Sequence, residues 1–202
     1  MKNAFERLRA AQPSLFSAAD LRIDRVVETG LIAPVWTLEQ SGLRTGANGR
    51  VFVNASGDIT FHTDPALDQG VAIRTGEGGQ VNLAATGHIT QAVVNPTDVP
   101  LISTGTLSLK AHSISAMNVE VAELSASAST GNLIFSDLDR DGETTSGLSV
   151  KDTSTSGDVV ITAQSMLSVE KIRTGHNASV SLMSLAGDLL MAVADALANN
   201  LD

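Results

Sequence analysis

Apolar and polar residues alternate in short runs along most of the chain. Val51-Phe52-Val53-Asn54, Val81-Asn82-Leu83-Ala84, Leu107-Ser108-Leu109 and Val180-Ser181-Leu182 each place aliphatic side chains two residues apart. A period of two sends those side chains to one face of a β-strand and the residues between them to the other. The pattern predicts that Val51, Val53, Val81, Leu83, Leu107, Leu109, Val180 and Leu182 point into one core. The outward positions fall mainly to Ser, Asn, Thr and Lys.

These strands recur within a longer frame. Leu43 to Ile59 reads LRTGANGRVFVNASGDI, Ile73 to Ile89 reads IRTGEGGQVNLAATGHI, and Ile172 to Leu189 begins IRTGHNASVSL. The shared order is an apolar residue, Arg-Thr-Gly, a short turn, an alternating strand, a turn ending in Gly, and a second strand. Degenerate copies fill the gap at Thr106 to Val119, Asn132 to Asp137 and Asp158 to Val169. Strands open at Arg50, Gln80, Thr106, Asn132, Asp158 and Ser179, with spacings of 30, 26, 26, 26 and 21 residues. Repeats of this size belong to solenoids, in which one turn cannot bury its apolar face alone and stacks on the next.

The expected fold is therefore all-β, a right-handed parallel β-helix of about six rungs over residues 43–193. At ~4.8 Å per rung the body would be roughly 29 Å long. An antiparallel sandwich also shows short alternating strands, but the fixed strand-turn-strand order within each copy favours the solenoid. Open sheet edges at either end would need capping or continuation. Residues 1–42 are expected to form an N-terminal segment with a capping helix, since Phe5, Leu8 and Ala11 share a helical face and Pro13 stops it. A C-terminal helical tail is expected over residues 194–202, with Leu190, Val193, Ala194, Leu197 and Leu201 on one face.

Composition narrows the function. The chain of 202 residues is 43% hydrophobic, yet it has five Phe, one Trp and no Tyr. Its apolar mass is Val, Ile, Leu and Ala, which suits thin repetitive strands rather than an aromatic-rich enzyme core. A net charge of −9 argues against nucleic acid and anionic membrane surfaces as partners. No run reaches the ~18 apolar residues of a membrane span. The absence of cysteine excludes disulfides and thiolate metal sites. Glu6, Arg7 and Arg9 interrupt Met1 to Gln12, so no secretory h-region is expected there.

One motif carries candidate chemistry. Asp137-Leu138-Asp139-Arg140-Asp141-Gly142-Glu143 opens like a Ca²⁺ loop, with alternate carboxylates and a Gly for the sharp turn. Twelve residues in, an EF-hand would carry Glu, and this chain has Leu148. A shorter clip of Asp137, Asp139, Asp141, Glu143 and Thr145 is one reading; a solvated acidic turn is the other. Arg44 and Arg74 occupy equivalent repeat positions, either as a basic ladder for an acidic glycan or as turn punctuation in which Gly46, Gly76 and Gly175 supply special φ values. The turn reading is favoured, because acidic residues surround them. His62, His88, His112 and His176 show no metal-ligand spacing, and GEGG at 76–79 lacks the context of a phosphate loop.

The phrases GDVVITAQSMLSVEKIRTG and GQVNLAATGHITQA resemble rungs of filamentous-haemagglutinin-like and related large bacterial exoproteins. The resemblance covers about Leu43 to Leu190 and rests on repeat grammar and composition. It implies a secreted or cell-surface β-helical stalk that mediates adhesion without catalysis. Its partners would be neighbouring repeats of a longer chain and a host-surface glycan or protein. Two other classes compete: a β-helical polysaccharide lyase or hydrolase, and a bactofilin-like cytoskeletal polymer.

Overall fold

A computed structural model describes residues 16–17, 21–23, 43–46, 48–61, 71–91, 99–138 and 147–191. Among these the fold is all-β, with no helix. The first strands are β1 (Phe16–Ser17), β2 (Leu21–Ile23), β3 (Leu43–Arg44), β4 (Arg50–Ala55) and β5 (Ile59–Phe61). The next group is β6 (Ile73–Arg74), β7 (Gln80–Ala85), β8 (His88–Gln91), β9 (Ile102–Ala111) and β10 (Ser113–Ile114). Then come β11 (Met117–Ala128), β12 (Leu133–Asp137), β13 (Leu148–Ser154) and β14 (Val159–Ala163). The last are β15 (Leu167–Val169), β16 (Ile172–Arg173), β17 (Val180–Ser184) and β18 (Leu189–Met191).

Fourteen strands form one sheet and four, β10-β8-β5-β2, form another. Every pairing among the described strands is parallel. Equivalent residues of successive copies stand opposite one another: Val51 beside Val81 beside Leu107, and Val53 beside Leu83 beside Leu109. Aliphatic side chains thus stack on aliphatic side chains, and β7 reads outward, inward, outward along its length.

Of the eight residues expected in the core, Val51, Val53, Val81, Leu83, Leu107 and Leu109 are buried. Leu182 only packs against the cluster's edge and Val180 is 47% exposed. Their direction is correct, since they lie opposite the buried Ile161 and Val159. Among the described residues nothing covers them. β17 pairs with β14 on one edge, and no described strand lies on the other.

The regular ladder fails at one place. Thr106 was expected beside Asn132, one 26-residue step on; it lies beside Glu123 instead. There β11 is one continuous strand of twelve residues without Gly or Pro, as β9 is of ten, where the earlier copies have separate strands β3 and β4 or β6 and β7. Two shorter strands lie in line along its far edge. Met117 to Val119 of β11 face Phe135 to Asp137 of β12, and Glu123 to Ser127 face Ser149 to Ser154 of β13. Beyond that point the expected register returns, with Leu133 beside Val159 beside Val180.

Upstream, β1 and β2 pair with β4 and β5, so the parallel stack includes part of the segment assigned to N-terminal capping. Strand β18 agrees with the expected strand at Leu189. The helices expected around Phe5, Leu8 and Ala11, and over residues 194–202, lie outside the described residues.

Candidate functional site

The acidic motif begins at the last residue of β12. Phe135 and Asp137 both point inward, so the first carboxylate of the motif is buried, at 5% exposure. Its Oδ1 accepts a hydrogen bond from the main-chain N–H of Val121 at 3.1 Å. The geometry of the split explains this contact. Leu138 N–H still reaches Val119 O just past the end of β12, while β11 continues to Ala128. Val121 N–H would face no main-chain acceptor, and Asp137 supplies a side-chain one. A buried N–H left unpaired would cost about 1–3 kcal/mol.

The chain rejoins at Gly147, whose φ of +70° lies in the left-handed region. A Cβ there would also strike the Met166 carbonyl, so glycine is required twice over. Leu148 is then buried and its N–H donates to Met166 O at 2.9 Å. The residues on both sides of the acidic motif, Asp137 and Leu148, are therefore held in the core. Asp139, Asp141, Glu143 and Thr145 lie outside the described residues. Among the described residues no three His, Asp or Glu side chains gather to hold a metal.

A second polar device recurs at the strand entries. Asp58 Oδ1 accepts from His88 N–H at 2.6 Å, Asn132 Oδ1 from Asp158 N–H at 2.9 Å, and Asp158 Oδ1 from Ser179 N–H at 2.8 Å. Each side chain caps the equivalent main-chain position one copy later. The bond from Ser179 lowers the Asp158 pKa below its ordinary value of 3.8. The signal for it is the Gly-Asp or Gly-Asn dipeptide at 57–58, 131–132 and 157–158.

The Arg-Thr-Gly motif is a turn, but its glycines do not work as expected. None of Gly46, Gly76 and Gly175 has positive φ; the left-handed residue of the third copy is Asn177, at 65°. In the first two copies the need for glycine falls three residues later, at Gly49 and Gly79, whereas in the third a Cβ on Gly175 itself would strike the Ser156 carbonyl. A Cβ on Gly79 would overlap the Thr75 side chain, which donates to Thr104 Oγ1 at 2.6 Å in the interior. Arg44 and Arg74 do stack in register, and the ladder ends at Ser103. Burial first, and Arg74 second, hold the Arg44 guanidinium below its usual pKa.

Charges elsewhere pair across copies. Lys151 is the extra residue where the β11–β13 register shifts, and its Nζ reaches Glu123 at 3.7 Å and also Glu170. The hydrogen bond that it donates to Glu170 is the main cause of its raised pKa. Arg173 Nη2 donates to both Asp152 oxygens, at 2.9 and 3.1 Å. An open groove of about 410 Å³ runs along the β4, β7 and β9 ends, lined by Asn54, Ser56, Ala84, Thr86 and Lys110 among others.

The four histidines show no metal-ligand spacing in the sequence. The fold brings two of them together: the rings of His88 and His112 lie 5.5 Å apart, edge to face. Ser113 Oγ is 2.6 Å from His88 Nδ1. Asp58 Oδ1 accepts from the His88 main-chain N–H at 2.6 Å, which fixes the backbone beneath this ring. No family model, curated protein or solved structure matches the chain.

Proposed function

We propose that the chain coils as a right-handed parallel β-helix and serves as a structural, adhesive segment of a secreted or cell-surface protein. The observation that carries this reading is the uniform parallel pairing, with equivalent residues of successive copies in register. Parallel strands need a crossover between them, and right-handed crossovers dominate. The split of β11 into two in-line partners fits a coil whose corner is straight in some turns and looped in others. The resemblance to filamentous-haemagglutinin-like exoproteins supplies the adhesive role. The groove ending at Lys110 offers amide, hydroxyl and ammonium groups to a surface glycan.

Retention on immobilised polysaccharides tests the role, with release of new reducing ends measured in parallel. Adhesion predicts retention without turnover. Turnover abolished by a single Asp substitution would instead establish a β-helical lyase or hydrolase, and filaments in electron micrographs of concentrated protein a bactofilin-like polymer.

Calcium at the acidic loop belongs to the same proposal. Asp139, Asp141, Glu143 and Thr145 would supply most of the ligands, because Asp137 already serves Val121. Three carboxylates within five residues repel when empty, and a hard cation relieves that repulsion. Millimolar Ca²⁺ will raise the melting temperature, Mg²⁺ less so, and Asp139→Ala will remove the effect. Identical melts in Ca²⁺ and in chelator would reduce the loop to an acidic turn.

A further inference from the structure

We propose that His88 and His112 form a two-histidine site for a borderline divalent metal, Cu²⁺, Ni²⁺ or Zn²⁺, clipping adjacent turns of the chain at one corner. Strands β8 and β10 set the frame: Ser113 lies opposite His88 and Ile114 opposite Ile89. Ile89 and Ile114 are both buried, so the backbone beneath the rings is held by the core. Asp58 Oδ1 holds His88 N–H, and His112 N–H donates to Gly87 O at 2.7 Å. Both imidazoles are exposed.

The ring separation suits a shared ion. Metal–nitrogen distances of about 2.0–2.1 Å place two ligating imidazoles with centres about 5–6 Å apart, and here they are 5.5 Å apart. One ring already has an orienting partner. Nδ1 lies 2.6 Å from Ser113 Oγ, and in the tautomer whose Nδ1–H donates to that hydroxyl the Nε2 lone pair is left for a metal. A hydrogen bond on the second nitrogen is what fixes tautomer and direction in metal-bound histidines. The His112 ring is the one that turns, since no described residue hydrogen-bonds its nitrogens and rotation about χ2 is soft. With no third protein ligand among the described residues, water completes the shell. The Irving–Williams order then ranks Cu²⁺ above Ni²⁺ and Zn²⁺.

The test is titration of the full chain with Cu²⁺, Ni²⁺ and Zn²⁺, followed by histidine ring resonances and by melting temperature. In the unaltered protein, substoichiometric Cu²⁺ will broaden the ring signals of His88 and His112 before those of His62 and His176. His88→Gln and His112→Gln will each weaken Cu²⁺ binding at least tenfold. Ser113→Ala, which leaves both ligands in place, will weaken it about tenfold through lost orientation. His62→Gln and His176→Gln will leave it unchanged. The proposal is overturned if Cu²⁺ broadens all four histidines together, if either single ligand variant keeps the full affinity, or if no ion raises the melting temperature above that of the double variant.

Discussion

Strands β14 and β17 carry the same pattern in the same register, yet one is core and the other is surface. Val159 and Ile161 are fully buried, while Val180, directly opposite, is 47% exposed and Leu182 is only partly covered. The same holds for Leu167 and Val169 of β15 against Leu189 and Met191 of β18, exposed at 44% and 63%. Alternation decides which way a side chain points. Burial is decided by whether another copy lies beyond it. In a stack that grows in one direction, a sequence pattern therefore reports facing, and only position in the stack reports coverage.

The largest expected difference comes from truncating the two partners in turn. Ile161→Ala removes side-chain volume from a site closed on both sides and will cost about 2–5 kcal/mol. Leu182→Ala, its register partner, will cost less than about 1.5 kcal/mol because much of that contact is never formed. Chemical denaturation of both variants measures the gap. Equal costs would mean that something covers the last strands.

A smaller effect is expected at the point where the sheet divides. Asp137→Ala will destabilise by about 1–3 kcal/mol, because Val121 N–H loses its acceptor in the interior. Asp137→Asn keeps an oxygen at that position and will restore most of the loss. If Ca²⁺ binding were the residue's whole purpose, both variants would melt alike in chelator.

The smallest effect is confined to the β14–β17 boundary and depends on pH. Asp158 has a lowered pKa in the fold because it accepts from Ser179 N–H. Such a carboxylate contributes stability above its ordinary value of 3.8, and the contribution is lost as pH falls through the lower, folded value. Acid will therefore loosen the last strands selectively. Asn132, which caps Asp158 by the same geometry, has no proton to gain and its bond will persist. Amide exchange at Ser179 and Asp158 across the acid range separates the two.

Much of this fold was legible in the sequence. Period-two alternation located the inward residues of β4, β7 and β9, and the Arg-Thr-Gly copies aligned β3 with β6. The step from Thr106 was missed because the residues from Met117 to Ala128 contain neither Gly nor Pro to mark a turn. Their alternation also slips at Ala122 and Glu123, where two outward residues follow each other. The role of Asp137 was hidden for a different reason. Its spacing to Asp139 and Asp141 reads as metal chemistry and carries no sign of the hydrogen bond that its Oδ1 accepts from Val121 N–H, sixteen residues earlier in the chain. The histidine pair was invisible because His88 and His112 meet only through the pairing of β8 with β10.

The register across β9 and β11 is the central claim, and the absence of cysteine makes it directly testable. Ser108 and Ser125 stand opposite each other on adjacent parallel strands. Neighbouring strands lie about 4.8 Å apart, within the about 4.4–6.8 Å range that a disulfide spans. The double variant Ser108→Cys with Ser125→Cys will therefore close a disulfide in the folded protein under mild oxidation, read as a mobility shift and loss of free thiol. Ser108→Cys with Ile134→Cys, the pair an unbroken 26-residue ladder would bring together, will stay reduced. The opposite outcome, with Cys at 134 closing and Cys at 125 remaining free, would contradict the arrangement of β11 and with it the origin of the acidic loop.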